Sequence, residues 1–228
     1  MIELFPDAGA AAQAAADAIV RQLSPAGPKR LMVTGGSGPG PVYDLLAKVD
    51  LDWSRVTVTL SDDRFVPLGA PENNEAMVRA RLLQGHAAAA TLVPLNGDAR
   101  TPAAAAAAIE PAIRALLPFD ATLLGMGPDG HIASLYASSA GVAADLDPAG
   151  SQLAVGVRSP GWEPYVPRVS LTGRALFDAG LILLLVGGAQ KRSVIEQVLA
   201  DPDFQPPVAA LIRQTRSPLR ILWSPGAA

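Results

Sequence analysis

Short apolar segments that alternate with helix-prone segments constrain the fold of this chain most strongly. Residues 30–34 (RLMVT), 56–60 (VTVTL), 121–124 (ATLL) and 181–186 (LILLLV) read as buried strands, and residues 153–157 and 220–223 are weaker candidates. Strands that are apolar along their whole length are typical of a parallel sheet covered on both faces. The pattern therefore predicts an α/β fold.

Helix-prone segments lie between these strands. Residues 8–23 and 102–116 are rich in alanine, the residue with the strongest helix propensity. Further helices are predicted at residues 41–48, 74–83 and 190–199. Because the alternation continues without a linker or an internal repeat, we expect residues 1–228 to form a single domain. Its mostly parallel, open sheet would carry helices on both faces.

Composition excludes several classes of protein. The net charge is −3, and the basic residues are scattered, which argues against nucleic-acid and membrane partners. The absence of cysteine excludes disulfides, a thiolate nucleophile and zinc–sulfur sites. The N-terminal segment has no cationic start, and an acidic residue at position 3 and Pro6 also argue against a signal peptide. The apolar run 179–189 is too short to span a membrane. We expect a cytoplasmic protein; the oligomeric state stays open, with a monomer favoured.

Four unusual segments each follow a predicted strand. They are residues 35–38 (GGSG), 61–64 (SDDR), 125–131 (GMGPDGH) and 187–191 (GGAQK). The carboxyl ends of parallel strands meet at one edge of a sheet, so these segments are predicted to gather there. Together they supply glycine backbone, carboxylates, an arginine, a lysine and a histidine. That combination suits an anionic substrate and acid–base chemistry.

The first segment, with Gly35, Gly36 and Ser37, opens a predicted helix. Its backbone N–H groups could bind an anion, although a tight turn would need the same glycines. No Gly-Lys-Ser/Thr follows, so it is not a P-loop. Ser37 is not predicted to be a nucleophile, because Pro39 stands where the Gly-x-Ser-x-Gly motif requires glycine.

Three cations are candidates for binding a phosphate. The planar guanidinium of Arg64 could do so, although Asp62, Asp63 and Arg64 could equally form a surface salt bridge. Lys191, in the first turn of a predicted helix, could act as a point charge or be an ordinary solvated lysine. Arg168 is a weaker candidate for a second anion contact.

The segment 125–131 is the most informative of the four. It matches Gly-x-Gly-x-x-Gly, but it lies past the middle of the chain and lacks the acidic strand end of a dinucleotide site. It ends instead in Asp129, Gly130 and His131. An imidazole titrates near neutrality, which suits a general base, and Asp129 could orient it. The second histidine, His86, is predicted to lie in a turn without a catalytic role.

These motifs resemble the 6-phosphogluconolactonases, which share a superfamily with the glucosamine-6-phosphate deaminases. The matching segments run in the family's order and cover most of the chain. They are residues 34–37 (TGGS), 62–67 (DDRFVP), 73–77 (NNEAM), 124–135 (LGMGPDGHIASL), 168–172 (RVSLT) and 188–191 (GAQK). The segment GMGPDGH is specific to the family, whereas the others are individually weak.

The resemblance implies a Rossmann-like fold of the deaminase/lactonase type. The implied activity is hydrolysis of 6-phospho-D-glucono-1,5-lactone to 6-phosphogluconate in the oxidative pentose phosphate pathway, without a metal or an organic cofactor. The chain has Gly38 and Ile132 where the family often has threonine, and Asp63 as its second acidic residue. These departures put hydrogen bonds near the sugar in question rather than the class of reaction.

The resemblance also implies individual roles. His131 would activate the attacking water, with support from Asp129. The expected substrate-binding residues are Gly35, Gly36 and Ser37 along the sugar, Arg64 and Lys191 at the phosphate, Arg168 as a less secure contact, and Asp62.

Two alternatives remain. The first is a sugar-phosphate isomerase or deaminase of the same superfamily. The deaminases carry a glutamate five residues after the histidine, and Tyr136 occupies that position here.

The second alternative is a non-catalytic sugar-phosphate sensor, as in the effector domains of transcription regulators. A first strand near residue 30 would leave no room for a preceding DNA-binding segment.

Overall fold

The computed structural model describes residues 2–157 and 165–226. Ten strands are found in these ranges: β1 (Ile2–Leu4), β2 (Lys29–Val33), β3 (Val56–Leu60), β4 (Asp62–Arg64), β5 (Thr91–Val93), β6 (Ala121–Leu124), β7 (Ala154–Gly156), β8 (Arg168–Leu171), β9 (Ile182–Gly187) and β10 (Leu219–Ser224). The helices are α1 (Ala8–Leu23), α2 (Gly40–Leu46), α3 (Asn74–Arg81), α4 (Pro102–Leu116), α5 (Val142–Asp145), α6 (Gly173–Leu176), α7 (Ala189–Ala200) and α8 (Pro207–Arg213).

Seven strands form the main sheet, in the order β1-β10-β9-β6-β2-β3-β5. Every neighbouring pair in it is parallel. Strands β6 and β9 are buried at every position, as expected when both faces of a parallel sheet are covered. The predicted α/β fold with a mostly parallel sheet is confirmed.

The order of strands reverses between β2 and β6. From β2 the chain continues to β3 and β5 on one side, whereas β6, β9 and β10 lie on the other side. Strands β2 and β6 pair directly, so the loops that follow them leave the sheet side by side. Such a reversal opens a crevice beyond the carboxyl ends of the strands, where α/β proteins bind ligands.

A second, antiparallel sheet was not predicted from the sequence. It has the order β4-β8-β7, and β4 lies in the polar segment after β3, where no strand was predicted. A three-residue strand of polar side chains carries no apolar alternation, so no strand could be predicted there. The expectation that the first strand lies near residue 30 is also wrong, because β1 begins at Ile2.

Side-chain caps define the starts of three helices. Asp7 accepts a hydrogen bond from the N–H of Ala10 at 2.8 Å at the start of α1, and Thr101 caps α4 in the same way. Asn73 caps α3 by accepting from Ala76 at 2.7 Å. Each cap pairs one N–H group that the helix itself leaves unpaired. In the described ranges no helix is long and apolar enough to cross a membrane.

Candidate active site

A pocket of about 220 Å³ opens at the reversal between β2 and β6. All four segments singled out in the sequence contribute to it, together with β8. Its lining residues are Thr34, Gly35, Gly36, Ser37, Gly38, Pro39, Asp62, Arg64, Asn74, Leu124, Gly125, Met126, Gly127, His131, Ala133, Arg168, Leu185 and Lys191. The predicted gathering of these segments at one edge of the sheet is therefore observed.

His131 and Asp129 form a hydrogen-bonded pair at the mouth of this pocket. The imidazole Nδ1 lies 2.6 Å from Oδ1 of Asp129, which also accepts the backbone N–H of His131 at 3.3 Å. Partial burial raises the pKa of Asp129, but the charge of His131 and the hydrogen bond to its ring outweigh that effect and hold the pKa below its usual value. Asp129 is thus ionised at neutral pH and fixes the ring orientation, which leaves Nε2 for the substrate.

The backbone around this pair leaves room for the imidazole. A Cβ on Gly127 would lie 2.1 Å from Cε1 of His131 and 2.7 Å from Oδ1 of Asp129, so only glycine fits there. The turn is anchored from α8, where the N–H of Val208 donates to the carbonyl of Gly130 at 2.9 Å. Ala133 follows with a φ of 48°, a left-handed conformation that costs free energy for a residue other than glycine.

Tyr136 packs between the histidine and one of the arginines. Its ring centroid lies 4.5 Å from that of His131, and the guanidinium carbon of Arg168 lies 5.6 Å from the same centroid. Tyr136 is almost fully buried, and this burial raises its pKa above the usual value. It therefore stays neutral and gives the imidazole a rigid apolar wall.

Arg64, Arg168 and Lys191 line the pocket, and none of them forms an ion pair with a carboxylate in the described part of the chain. The Nε atoms of both arginines are buried and donate no hydrogen bond there. Burial also lowers the pKa of Lys191. Three positive charges at one pocket, none of them ion-paired in the described part of the chain, are an arrangement that favours an anionic ligand.

The glycine loop after β2 presents unpaired donors to the same space. The backbone N–H groups of Gly36 and Ser37 donate no hydrogen bond within the described ranges. The hydroxyl of Tyr43 donates to the carbonyl of Thr34 and so fixes the point where the loop leaves the strand. Gly36 has a φ of 89°, which glycine adopts without strain. The loop is thus built to place N–H groups against an anion.

Asp62 and Asp63 differ in their surroundings although they are adjacent. Asp62 lines the pocket and accepts hydrogen bonds from the hydroxyls of Ser61 at 2.8 Å and Ser134 at 2.6 Å. Asp63 is fully buried and accepts the backbone N–H groups of Arg64 and Asn74. Burial raises the pKa of Asp63 to about 6, against the opposing effect of these donors. Asp63 is structural, whereas Asp62 can contact a ligand.

All nine residues selected from the sequence lie in or beside this pocket. Eight of them line it directly, and Asp129 contacts it through His131. The sequence did not single out Asn74, whose amide accepts from Arg64 at 2.7 Å, or the packing of Tyr136 on the imidazole. Asparagine at the start of a helix resembles an ordinary cap, so its sequence signal was ambiguous. No cluster of potential metal ligands occurs among the described residues.

Comparison with known proteins gives consistent matches along the whole chain. The family model described as glucosamine-6-phosphate isomerases/6-phosphogluconolactonase matches residues 6–223. A 6-phosphogluconolactonase of Caulobacter vibrioides is 40% identical over 215 residues, which are 94% of this chain and 91% of the relative.

Solved structures agree with the sequence matches. The crystal structure of a 6-phosphogluconolactonase from Shewanella baltica is 33% identical, with a TM-score of 0.88, and the match covers 98% of this chain and 97% of that one. A monomeric glucosamine-6-phosphate deaminase is 17% identical with a TM-score of 0.81 over 98% of this chain and 96% of its own, and it shares the fold.

Proposed function

Since the chain belongs to the glucosamine-6-phosphate isomerase/6-phosphogluconolactonase family, we propose that its pocket hydrolyses a sugar-phosphate lactone with His131 as the general base. The reaction is the conversion of 6-phospho-D-glucono-1,5-lactone to 6-phosphogluconate, a step of the oxidative pentose phosphate pathway. One observation supports the detailed proposal most directly. The His131–Asp129 pair and three cations that form no ion pair with any described residue line or adjoin a single pocket.

The proposed chemistry begins at Nε2 of His131. This nitrogen takes a proton from a water molecule as the water oxygen attacks the lactone carbonyl carbon. Asp129 holds the ring through Nδ1 and stabilises the imidazolium that forms. When the tetrahedral intermediate collapses, the bond between the former carbonyl carbon and the ring oxygen breaks. The imidazolium returns its proton to that oxygen, which becomes a hydroxyl, and the other product group is a carboxylic acid that ionises.

The phosphate end of the substrate would be held away from His131 by the cations. Arg64 and Lys191 are the proposed contacts, with Arg168 as the third. The free N–H groups of Gly36 and Ser37 can donate to the same anion or to the sugar. Fixing the phosphate aligns the lactone carbonyl with the base, and positioning of this kind can lower a barrier by several kcal/mol, about 7–11 at the upper limit.

The deaminase alternative lacks a residue in this pocket. By the resemblance, a deaminase needs a glutamate five residues after the histidine. Tyr136 holds that position, and its side chain is neutral and packed against the imidazole. A neutral phenol cannot act as the carboxylate base. This contact favours lactone hydrolysis over ring opening and deamination.

Domain organisation, cellular location, partners and cofactors are also proposed. We propose that residues 1–228 act as one catalytic domain in the cytoplasm, with a sugar-phosphate lactone as the partner and neither nucleic acid nor a membrane; the oligomeric state stays open, with a monomer favoured. The proposed chemistry uses side chains and backbone N–H groups, and it assigns no step to a metal or an organic cofactor.

The reaction can be tested by generating 6-phosphogluconolactone in situ and following its decay with and without the protein. The buffer control is essential because this lactone also hydrolyses unaided. We expect decay well above the buffer rate and no ammonia release from glucosamine 6-phosphate. Decay at the buffer rate combined with ammonia release would establish the deaminase instead. Ligand binding without either turnover would establish the sensor.

A further inference from the structure

Asn74 lies in the wall of the pocket, at the centre of a hydrogen-bond network. Its amide Oδ1 accepts a hydrogen bond from Nη1 of Arg64 at 2.7 Å, and its Nδ2 donates to the carbonyl of Asp62 at 3.0 Å. Its own backbone N–H donates to Asp63 at 2.7 Å. Asn74 is only 4% exposed, so these contacts are made away from bulk water.

The two amide contacts are of opposite kinds, which fixes the amide in one orientation. A donor faces Oδ1 and an acceptor faces Nδ2, so rotation of the amide by half a turn would break both hydrogen bonds. Nη1 of Arg64, which donates to Asn74, also donates to the carbonyl of Glu72 at 3.0 Å. The buried Nε of Arg64 donates no hydrogen bond in the described ranges. Asn74 therefore provides the side-chain acceptor that orients the guanidinium.

Asn74 also touches the glycine loop. A Cβ on Gly35 would lie 2.0 Å from Cγ and Oδ1 of Asn74, so the loop backbone packs directly on the amide. The residue thus contacts two separate parts of the anion site, the loop and Arg64. It carries no charge, which leaves the full positive charge of Arg64 available to a ligand.

We propose that Asn74 is a positioning residue that holds Arg64 in the orientation in which it binds the substrate phosphate. An aspartate at this position would orient the guanidinium but neutralise its charge, and an alanine would leave it undirected. The neutral amide of Asn74 orients the guanidinium without neutralising its charge. This inference rests on the proposed function, because it takes Arg64 as a phosphate contact.

The preceding residue, Asn73, provides a matched control. Asn73 caps α3 by accepting from the N–H of Ala76 at 2.7 Å, its amide donates to the carbonyl of Val66, and no hydrogen bond joins it to Arg64 in the described ranges. The two neighbouring asparagines are buried to a similar extent, at 3% and 4% exposure. A loss of the helix cap and a loss of the arginine contact can therefore be compared at adjacent positions.

The test is a double-mutant cycle on steady-state lactone hydrolysis. We expect Asn74→Ala to raise KM about ten-fold, because a hydrogen bond to a charged group is lost, and to change kcat less than about two-fold. In an Arg64→Ala background the same substitution should leave KM unchanged, since Asn74 acts through Arg64. Asn73→Ala should lower the unfolding temperature and leave KM unchanged.

Several outcomes would overturn the inference. One is an unchanged KM in Asn74→Ala, and another is an equal rise of KM in the Arg64→Ala background, which would show that Asn74 acts without Arg64, through the glycine loop or by direct contact with the ligand. If Arg64→Ala itself leaves KM unchanged, the phosphate role of Arg64 fails together with the inference. If Asn74→Ala does not fold, Asn74→Asp replaces it. Its carboxylate should raise KM by neutralising Arg64, and an unchanged KM there would equally contradict the proposal.

Discussion

Arg64 and Arg168 lie directly opposite each other in the antiparallel pair of β4 and β8. Each has a buried Nε without a hydrogen bond, and neither pairs with a carboxylate in the described ranges. Like charges that face each other across two strands destabilise a sheet by about 0.2–1 kcal/mol. The arrangement is therefore unfavourable for the free protein and becomes favourable when an anion lies between the two side chains.

Because Arg64 and Arg168 face each other, substitution of Arg168 is expected to affect substrate affinity and protein stability differently. Arg168→Met keeps the aliphatic stem but removes one of the two facing charges. We expect KM for the phosphorylated lactone to rise about ten-fold. The free energy of unfolding should stay within about 0.5 kcal/mol of the wild type or increase, because the repulsion is relieved. Steady-state kinetics and urea unfolding measure the two quantities. A clear loss of stability with unchanged KM would show that Arg168 is structural.

The absence of a side chain at Gly127 is expected to be essential for catalysis. In Gly127→Ala the new Cβ would overlap the imidazole of His131, so the ring must move. We expect kcat to fall by about 10² or more, with a much smaller change in KM.

Gly125→Ala is the matched control in the same loop. There a Cβ would meet only Cγ2 of Thr34, at an ordinary 3.8 Å. Its kcat should fall far less than that of Gly127→Ala. Equal losses in the two variants would mean that the loop tolerates no side chain at all and that the contact with His131 is not the cause.

The raised pKa of Asp63 predicts that the free energy of unfolding depends on pH. Burial raises its pKa in the folded protein to about 6, above the ordinary value of 3.8. The folded state therefore binds this proton more tightly than the unfolded state does. The contribution is fully present below about pH 4 and is lost as the pH rises through 6.

Comparison with Asp63→Asn isolates this contribution. We expect the free energy of unfolding of the wild type, relative to that of the variant, to decrease by about 2–3 kcal/mol between pH 4 and 7. Urea unfolding at several pH values measures the difference. A constant difference over this range would show that Asp63 titrates normally.

The lowered pKa of Lys191 predicts that the affinity for 6-phosphogluconate depends on pH. Burial lowers its pKa, so its positive charge is lost at a lower pH than that of a solvated lysine. Affinity for 6-phosphogluconate should therefore be constant near neutrality and decline as the pH rises through this lowered pKa. In Lys191→Arg the charge persists, and the decline should be absent up to at least pH 10. Calorimetric titration of both proteins tests this, and parallel profiles would remove Lys191 from the phosphate site.

The main sheet and the glycine-rich turn before His131 could be predicted because their signals are local. Apolar strands such as β9 and the glycine-rich turn that ends at His131 are visible in short windows of the sequence. The opposition of Arg64 and Arg168 was hidden, because their strands lie about a hundred residues apart and their pairing depends on the tertiary fold. The role of Asn74 was hidden for the same reason, since all its side-chain partners come from outside its own helix.

His131 is proposed as the general base, and the His131→Gln variant tests this role most directly. Hydrolysis of 6-phosphogluconolactone should be measured for this variant, the wild type and buffer, with 6-phosphogluconate affinity measured alongside. We expect kcat to fall by about 10²–10⁴ and the affinity for 6-phosphogluconate to change less than about three-fold. A variant that hydrolyses the lactone as fast as the wild type would contradict this role.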